Sequence, residues 1–366
     1  MSFAPRPLPP REKYSSLAAY RLMLQYIHER ELNIGDRLPT HAELVHELGV
    51  CHCTLATAMK WLVVDGVLTR RQKAGTIVSE LYPRFPKRSI WQVGIVVPPL
   101  TSSYFFPVLT HFQHRHLGLN GLADRTYMLS VNAQPSSEVH VRRPSDFSGL
   151  EEDIEAGMLN GILTSTRLMT DKIPVCGSAS SASTFGVEID QSAFARQALT
   201  ELRKRGCRHI LAGVRPMDDG FSHLFEEAVE EAGQQMGRSL VRATGMTGVE
   251  YGYRLAQQVL ASPASRRIDG VLLRDDITAQ ACASLLARKG RTDVIVATQT
   301  NLQIPMPFAV PTILFALDVD ELARLSVSML LKKLLKPSLK PQLSYLAPRL
   351  QETGVNSAEF YTHISA

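Results

Sequence analysis

Five cysteines, Cys51, Cys53, Cys176, Cys207 and Cys282, are an odd number scattered over 366 residues. That spacing excludes a disulfide framework and fits a reducing compartment. Long apolar runs are also missing: residues 93–100 form one of the longest, far short of the roughly 20 residues a membrane helix needs. Residues 1–13 are rich in proline and arginine and have no apolar stretch of the kind a secretory signal carries. A cytoplasmic chain with no membrane partner is expected. Sequence signatures of catalysis are absent too. There is no Gly-x-x-x-x-Gly-Lys-Ser/Thr loop, no Gly-x-Gly-x-x-Gly turn, no Gly-x-Ser-x-Gly elbow and no His-Glu-x-x-His pair. No nucleophile, acid or base constellation replaces them, so neither an enzyme nor a cofactor is expected.

What is present is enough apolar surface for two or three compact units, at 45% apolar and 7% aromatic residues. The net charge of +5 is unevenly placed. Residues 1–90 hold 13 Lys and Arg against 8 Asp and Glu, while the remainder holds 27 against 27. A basic N-terminal module facing an anionic partner, attached to a neutral one, accounts for this asymmetry, and so does a well-solvated N-terminus.

Leu17, Tyr20, Leu24 and Ile27 recur at helical spacing and stop before Gly35, which predicts an amphipathic helix and a turn. Thr40 and Glu43 form a capping box for a second helix, with Leu44 and Leu48 inward and Gly49 as its stop. A third helix is expected over residues 53–65, burying Leu55, Ala58, Met59 and Leu62. Two short helices around a glycine turn make a helix-turn-helix, whose second member fits a major groove. Residues 67–78 alternate around Gly75 as a small hairpin whose tip, residues 71–74, is basic. His46, Cys51, His52 and Cys53 invite a zinc reading. Cys-x-Cys on a helix sends its side chains to different faces, and no metal site is expected.

These residues resemble the GntR-type winged helix: Gly35 to Thr40, Glu43-Leu44, Leu48 to Val50, Thr54-Leu55, Ala58, Leu62, Asp65 to Leu68, and Arg70 to Val78 with Gly75-Thr76. The resemblance implies binding of double-stranded operator DNA. It departs where the family usually carries arginines, at Ala42, His52 and Ala56. The groups left to meet DNA are Thr40, His41, His52, Thr54, Thr57, Lys60, Arg70, Arg71 and Lys73. Thr40 also reads as a helix cap and Lys60 as part of a solvated face.

Domain bounds are expected at 1–80 for this head, 81–90 for a Pro-punctuated linker and 91–366 for a larger unit. In that unit strands and helices alternate, with strands over 92–98, 126–131, 161–164, 210–214, 270–273 and 294–297. Helices are expected over 104–119, 192–205, 221–233, 251–260, 278–288 and 319–335. Such alternation requires an α/β fold, a mostly parallel sheet covered on both faces, and the length favours two lobes.

The residues Val93 to Val96, Tyr104 to Phe106, Asn160 to Leu163, Ile173 to Val175, Val187 to Asp190, Asp269 to Val271, Asp275-Asp276 and Pro348 to Leu350 resemble the effector domain of LacI-type repressors, which is periplasmic-binding-protein-like. A GntR-type head on such a body is the arrangement of arabinose repressors and related sugar-responsive regulators. The resemblance implies a homodimeric repressor whose operator binding is controlled by a small molecule, by default a sugar, held in a cleft between the lobes. An enzyme or ligand-binding protein with a winged helix that binds no DNA is the alternative. Effector contacts are expected at Ser102, Ser103, Tyr104, Phe106, Thr164, Ser165 and Asp276, in loops that follow strands. Asp276 aligns with the family's sugar-binding aspartate, and equally reads as a cap for a helix near Thr278. Phe105 and Phe106 stack on a ligand or fill a lobe core. The family's clamping arginine falls at Phe221, for which Arg215 is the substitute, and its later aspartate falls near Gln299.

Overall fold

The computed structural model describes residues 15–71, 75–83, 89–97, 105–129, 141–179, 184–214, 222–238, 247–304 and 306–351. Lys73, Ser102, Ser103, Tyr104 and Arg215 therefore lie outside the described residues, as does most of the hairpin tip.

The head consists of α1 (Ser16–Glu29), α2 (His41–Leu48), α3 (His52–Val64) and the hairpin β1 (Leu68–Arg71) and β2 (Gly75–Val78). Tyr20, Leu24 and Ile27 of α1 are buried against Leu44, Leu48, Leu55, Ala58 and Leu62. The capping box at α2 forms in both directions: the Glu43 amide donates to Thr40 Oγ1 at 3.4 Å and the Thr40 amide to Glu43 Oε2 at 2.7 Å. Gly49 closes α2 in the left-handed region, at φ 65°, which costs glycine little. The cap of α3 is Cys51, whose sulfur accepts from the Thr54 amide, so the helix starts at His52 rather than Cys53.

The body begins with β3 (Gln92–Val97), α4 (Phe105–Leu119), β4 (Ala123–Met128), β5 (Val141–Arg142), α5 (Leu150–Glu155), β6 (Gly161–Thr164), β7 (Arg167–Leu168), β8 (Val175–Ala179) and β9 (Gly186–Ile189). A second lobe follows with α6 (Gln191–Lys204), β10 (Ile210–Val214), α7 (Ser222–Glu231), β11 (Gln235–Arg238), α8 (Gly248–Leu260), β12 (Gly270–Leu273), α9 (Asp276–Arg288), β13 (Ile295–Asn301) and β14 (Thr312–Leu317). The chain then returns to the first lobe through α10 (Val319–Leu335) and β15 (Leu343–Leu346), and ends in the second with β16 (Arg349–Leu350).

The first sheet runs β15-β9-β8-β6-β3-β4, all parallel. The second runs β11-β10-β12-β13-β14-β16, with only β16 antiparallel. The chain therefore crosses between lobes three times: from β9 to α6, from β14 to α10 and from β15 to β16. Helices cover both faces of the second sheet. Phe194, Phe225 and Phe315 pack on one side, and Tyr251, Leu255, Val259 and Leu286 on the other. α8 and α9 lie so close that a Cβ at Gly252 would collide with the Thr278 carbonyl.

The head rests on the first lobe. One continuous apolar cluster includes Tyr20 and Ile27 of α1 and Leu330 and Leu334 of α10. Gln25 Nε2 donates to the Leu334 carbonyl at 2.8 Å, the Ser338 amide to Glu29 Oε1 at 2.8 Å, and Lys336 Nζ lies 2.7 Å from Glu31 Oε1. Arg21 Nε donates to the Ile90 carbonyl.

Helices α4, α6, α7 and α10 fall within one to two residues of the sequence expectation, and β6, β10 and β12 fall on it. β4 starts at Ala123 rather than 126, and β13 runs to Asn301 rather than 297. α9 starts two residues early because its cap is Asp275, which accepts from the Thr278 amide at 2.8 Å and the Thr278 hydroxyl at 2.7 Å. Asp276 is thus the first residue of the helix, not its cap.

Candidate functional site

On the head, α3 turns His52, Cys53 and Lys60 to solvent and leaves Thr57 half-buried, its hydroxyl donating to the Cys53 carbonyl at 3.0 Å. Thr54 departs from its expected place on this surface. It is 7% exposed, and its hydroxyl lies 2.9 Å from Cys51 Sγ, because the thiol cap draws it into the turn. The same contacts, from the Thr54 hydroxyl and amide, hold the Cys51 thiol below its usual range. Thr40 spends its oxygen on the α2 cap.

The two helix starts meet. His41 and His52 stack with ring centroids 5.3 Å apart and 27° between planes, and their Nδ1 atoms are 3.3 Å apart. Partial burial, and then the nearby His52 and Arg70, hold His41 below the usual histidine range. Arg70 and Arg71 stand exposed on β1. Between the hairpin and α2 lies a pocket of about 560 Å³, lined among others by Arg37, Thr40, His41, Glu43 and Arg70.

Arg37 escapes the sequence reading. Its backbone bridges Ile77 of the hairpin, and its side chain lies over Gly75, where a Cβ would come within 2.9 Å of Nε. A basic residue just before the capping box was the available signal. Among the described residues, no group of three or more His, Cys, Asp or Glu is arranged to hold a metal ion. The surface as a whole offers cationic groups and ring nitrogens to an anionic polymer.

In the body, the carboxyl end of β12 leads into Asp276, which is 5% exposed, with Asn301 Nδ2 at 3.5 Å from Oδ2. Beside it Gln299 Nε2 donates to Gln191 Oε1 at 2.7 Å, joining β13 to the first turn of α6. Thr298 and Thr300 are buried on the same strand, and Thr300 Oγ1 has no hydrogen-bond partner among the described residues. Ends of parallel strands are where α/β sheets collect ligands. Gln191, Asn301 and Thr300 were not singled out from sequence; runs of amides and hydroxyls on a strand carry no spacing signature.

The first lobe supplies less. Thr164 is buried at the end of β6 and its hydroxyl donates to the Thr166 carbonyl at 2.8 Å, while Ser165 beside it is half-buried. Phe106 meets Phe105 edge-on at 5.3 Å, and both pack against the first-lobe core. Of the two roles open to these rings, core packing is the one with visible partners.

Comparison with known proteins finds different relatives for the head and for the chain as a whole. The family model of bacterial regulatory proteins, gntR family, matches residues 15–78. The histidine utilization repressor of Pseudomonas putida is 35% identical over 80 residues, 22% of this chain, and the match spans only 29% of that relative's length. Among solved structures, the lac repressor dimer bound to operator and the anti-inducer ONPF aligns with a TM-score of 0.57 at 12% identity, over 74% of this chain and 95% of that one. A LacI family regulator from Enterococcus faecium with bound ribose aligns at 0.52 and 16% identity, over 71% and 97%. At such identities the likeness establishes the fold. The chain joins a helix-turn-helix region of the gntR family to a two-lobed α/β body with the fold of LacI family regulators.

Proposed function

We propose that this protein is a transcription repressor whose head binds double-stranded operator DNA and whose body binds a small polar effector, a sugar by the default of its fold relatives. The observation that carries the reading is the gntR family match over the whole head, on which α3 presents His52, Thr57 and Lys60 beside Arg70 and Arg71 of the hairpin. Base edges and phosphates demand that kind of donor-rich cationic surface. A single recognition helix reads few base pairs, so the working form is a homodimer on a two-fold symmetric site.

Asp276 is the proposed anchor of the effector, since a carboxylate accepts two adjacent hydroxyl protons. Gln191, Gln299 and Asn301 add donors and acceptors around it. Coupling runs through α10: it belongs to the first lobe, and α1 lies on it. A ligand that changes the lobe angle changes the seat of the head.

The test is a gel-shift salt series comparing the DNA upstream of the protein's own gene with random DNA, combined with mass spectrometry of any small molecule carried through purification. Tighter binding to the upstream DNA, relieved or strengthened by the identified molecule, is expected. Equal binding to both DNAs at physiological salt sinks the repressor reading. Asp276→Ala should weaken the effector by roughly one to two orders of magnitude, the worth of charge-assisted hydrogen bonds, while DNA binding persists.

A further inference from the structure

The pocket between the hairpin and α2 has a charge pattern that nothing among the described residues answers. Its cations come from two elements: Arg37 precedes α2 and Arg70 lies on β1. Among the described residues, neither guanidinium has a side-chain hydrogen bond or ion pair. The one carboxylate in the lining, Glu43, is engaged by the amide and hydroxyl of Thr40, both at 2.7 Å. The Arg37 backbone bridges Ile77 of the hairpin, and its exposed side chain lies over Gly75, beside the pocket.

The histidine pair borders this pocket. His41 is among its lining residues and stacks on His52 across the helix turn. Nδ1 atoms 3.3 Å apart allow one proton between the rings when the pair is neutral or singly charged. The charged and titratable groups around the pair are Arg70 on the hairpin side, Arg37 and Glu43 in the pocket, and Cys51, which caps the helix that His52 begins. Arg70 opposes a positive charge on His41. An anion seated in the pocket reverses that sign, so a bound phosphate draws a further proton onto the pair.

We propose that this pocket seats one backbone phosphate of duplex DNA between Arg37 and Arg70, and that the His41–His52 pair supplies it with a third, proton-dependent positive charge. The proposal rests on the DNA-binding reading above and adds to it a named phosphate contact and a proton taken up on binding. Because the bound state holds the proton more tightly, duplex affinity rises as pH falls through the histidine range.

The experiment is fluorescence anisotropy of the full chain with a labelled 30-base-pair mixed-sequence duplex, over a salt series at pH 8 and pH 6. A mixed sequence suffices because phosphate contacts do not depend on base identity. Arg37→Gln is expected to weaken binding several-fold and to reduce the slope of log affinity against log salt by about 0.9, the loss of one phosphate contact. Arg37→Lys, which restores the charge, should recover the slope and so separates contact from folding. Wild type should bind about tenfold more tightly at pH 6 than at pH 8, within the limit of one linked proton; His52→Gln and His41→Gln should each remove most of that gain. If Arg37→Gln keeps the wild-type slope while Arg70→Gln loses it, the phosphate does not sit in this pocket. If the histidine variants keep the full pH gain, the pair is not the proton acceptor. If wild type binds no duplex even at low salt, the DNA-binding reading falls and this proposal with it.

Discussion

The outer face of the head and the strand ends of the second lobe are both rich in polar side chains, yet they are built on opposite plans. On the head, Arg37, Arg70 and Lys60 stand exposed, and among the described residues the two histidine side chains bond only to each other. At the ends of β12 and β13 the polar groups are buried, and four of them are bonded in pairs, Gln299 to Gln191 and Asn301 to Asp276, while Thr300 Oγ1 has no partner among the described residues. A cationic surface whose charges are unanswered among the described residues suits a large anionic partner recruited through long-range attraction. Buried, pre-paired groups suit a small partner selected by fit, since displacing their bonds without replacing them is costly.

The comparison breaks most readily at Phe194, which anchors α6 and hence Gln191. Phe194→Ala removes a ring stacked among Phe225 and Phe315 and should lower stability by about 3–5 kcal/mol. Calorimetry should show the loss, and effector binding should suffer more than duplex binding measured below the transition. Gln299→Leu comes next. It strands the Gln191 amide in a buried site, for an expected loss of about 1–3 kcal/mol, and adding Gln191→Leu should recover part of it in denaturant unfolding. His52→Gln on the exposed head should stay within about 0.5 kcal/mol. If it costs as much as Gln299→Leu, the two surfaces are not as different as their burial says.

Thr40→Ala removes one side of the α2 capping box and should cost about 1 kcal/mol, read as an earlier loss of head signals in thermal melts. The smallest effect is expected at the exposed Glu31–Lys336 pair. The Lys336 ammonium holds the Glu31 carboxyl below its usual range, so the pair contributes above the ordinary carboxylate pKa and fades as pH falls through the depressed one. Lys336→Ala should lower the melting temperature only slightly at pH 7 and less still at pH 3. A clear drop confined to pH 7 would mean that the junction of head and lobe is stronger than its exposure implies.

The head was legible because its signals are local. Thr40, Glu43 and Gly49 punctuate α2 within ten residues, and the apolar spacing of Tyr20, Leu24 and Ile27 has a single helical solution. α10, α4 and α6 were legible for the same reason. β8 and β9 were not, because Gly177, Ser178, Gly186 and Glu188 weaken any strand pattern; their pairing comes from the surrounding sheet. β15 joins β9 across more than 150 residues, a register that no local pattern encodes. Asp276 was singled out from sequence, but its helix was begun too late because Asp275, not the following turn, is the cap. The stacking of His41 on His52 depends on the angle between two helices, which spacing does not fix.

The three passages between lobes bear on how the chain is made. A nascent chain that has emerged only through β9 carries every strand of the first sheet except β15, and it still lacks α10. Val187, Leu163 and the α1 face around Ile27 share their apolar cluster with Leu330 and Leu334 of α10, so until synthesis reaches Leu335 that cluster lacks part of its packing. The first lobe and the head's seat therefore complete only after the second lobe's elements through β14 have left the ribosome, at roughly 5–20 residues per second. Truncations in the last fifth of the gene should damage the N-terminal half of the protein first.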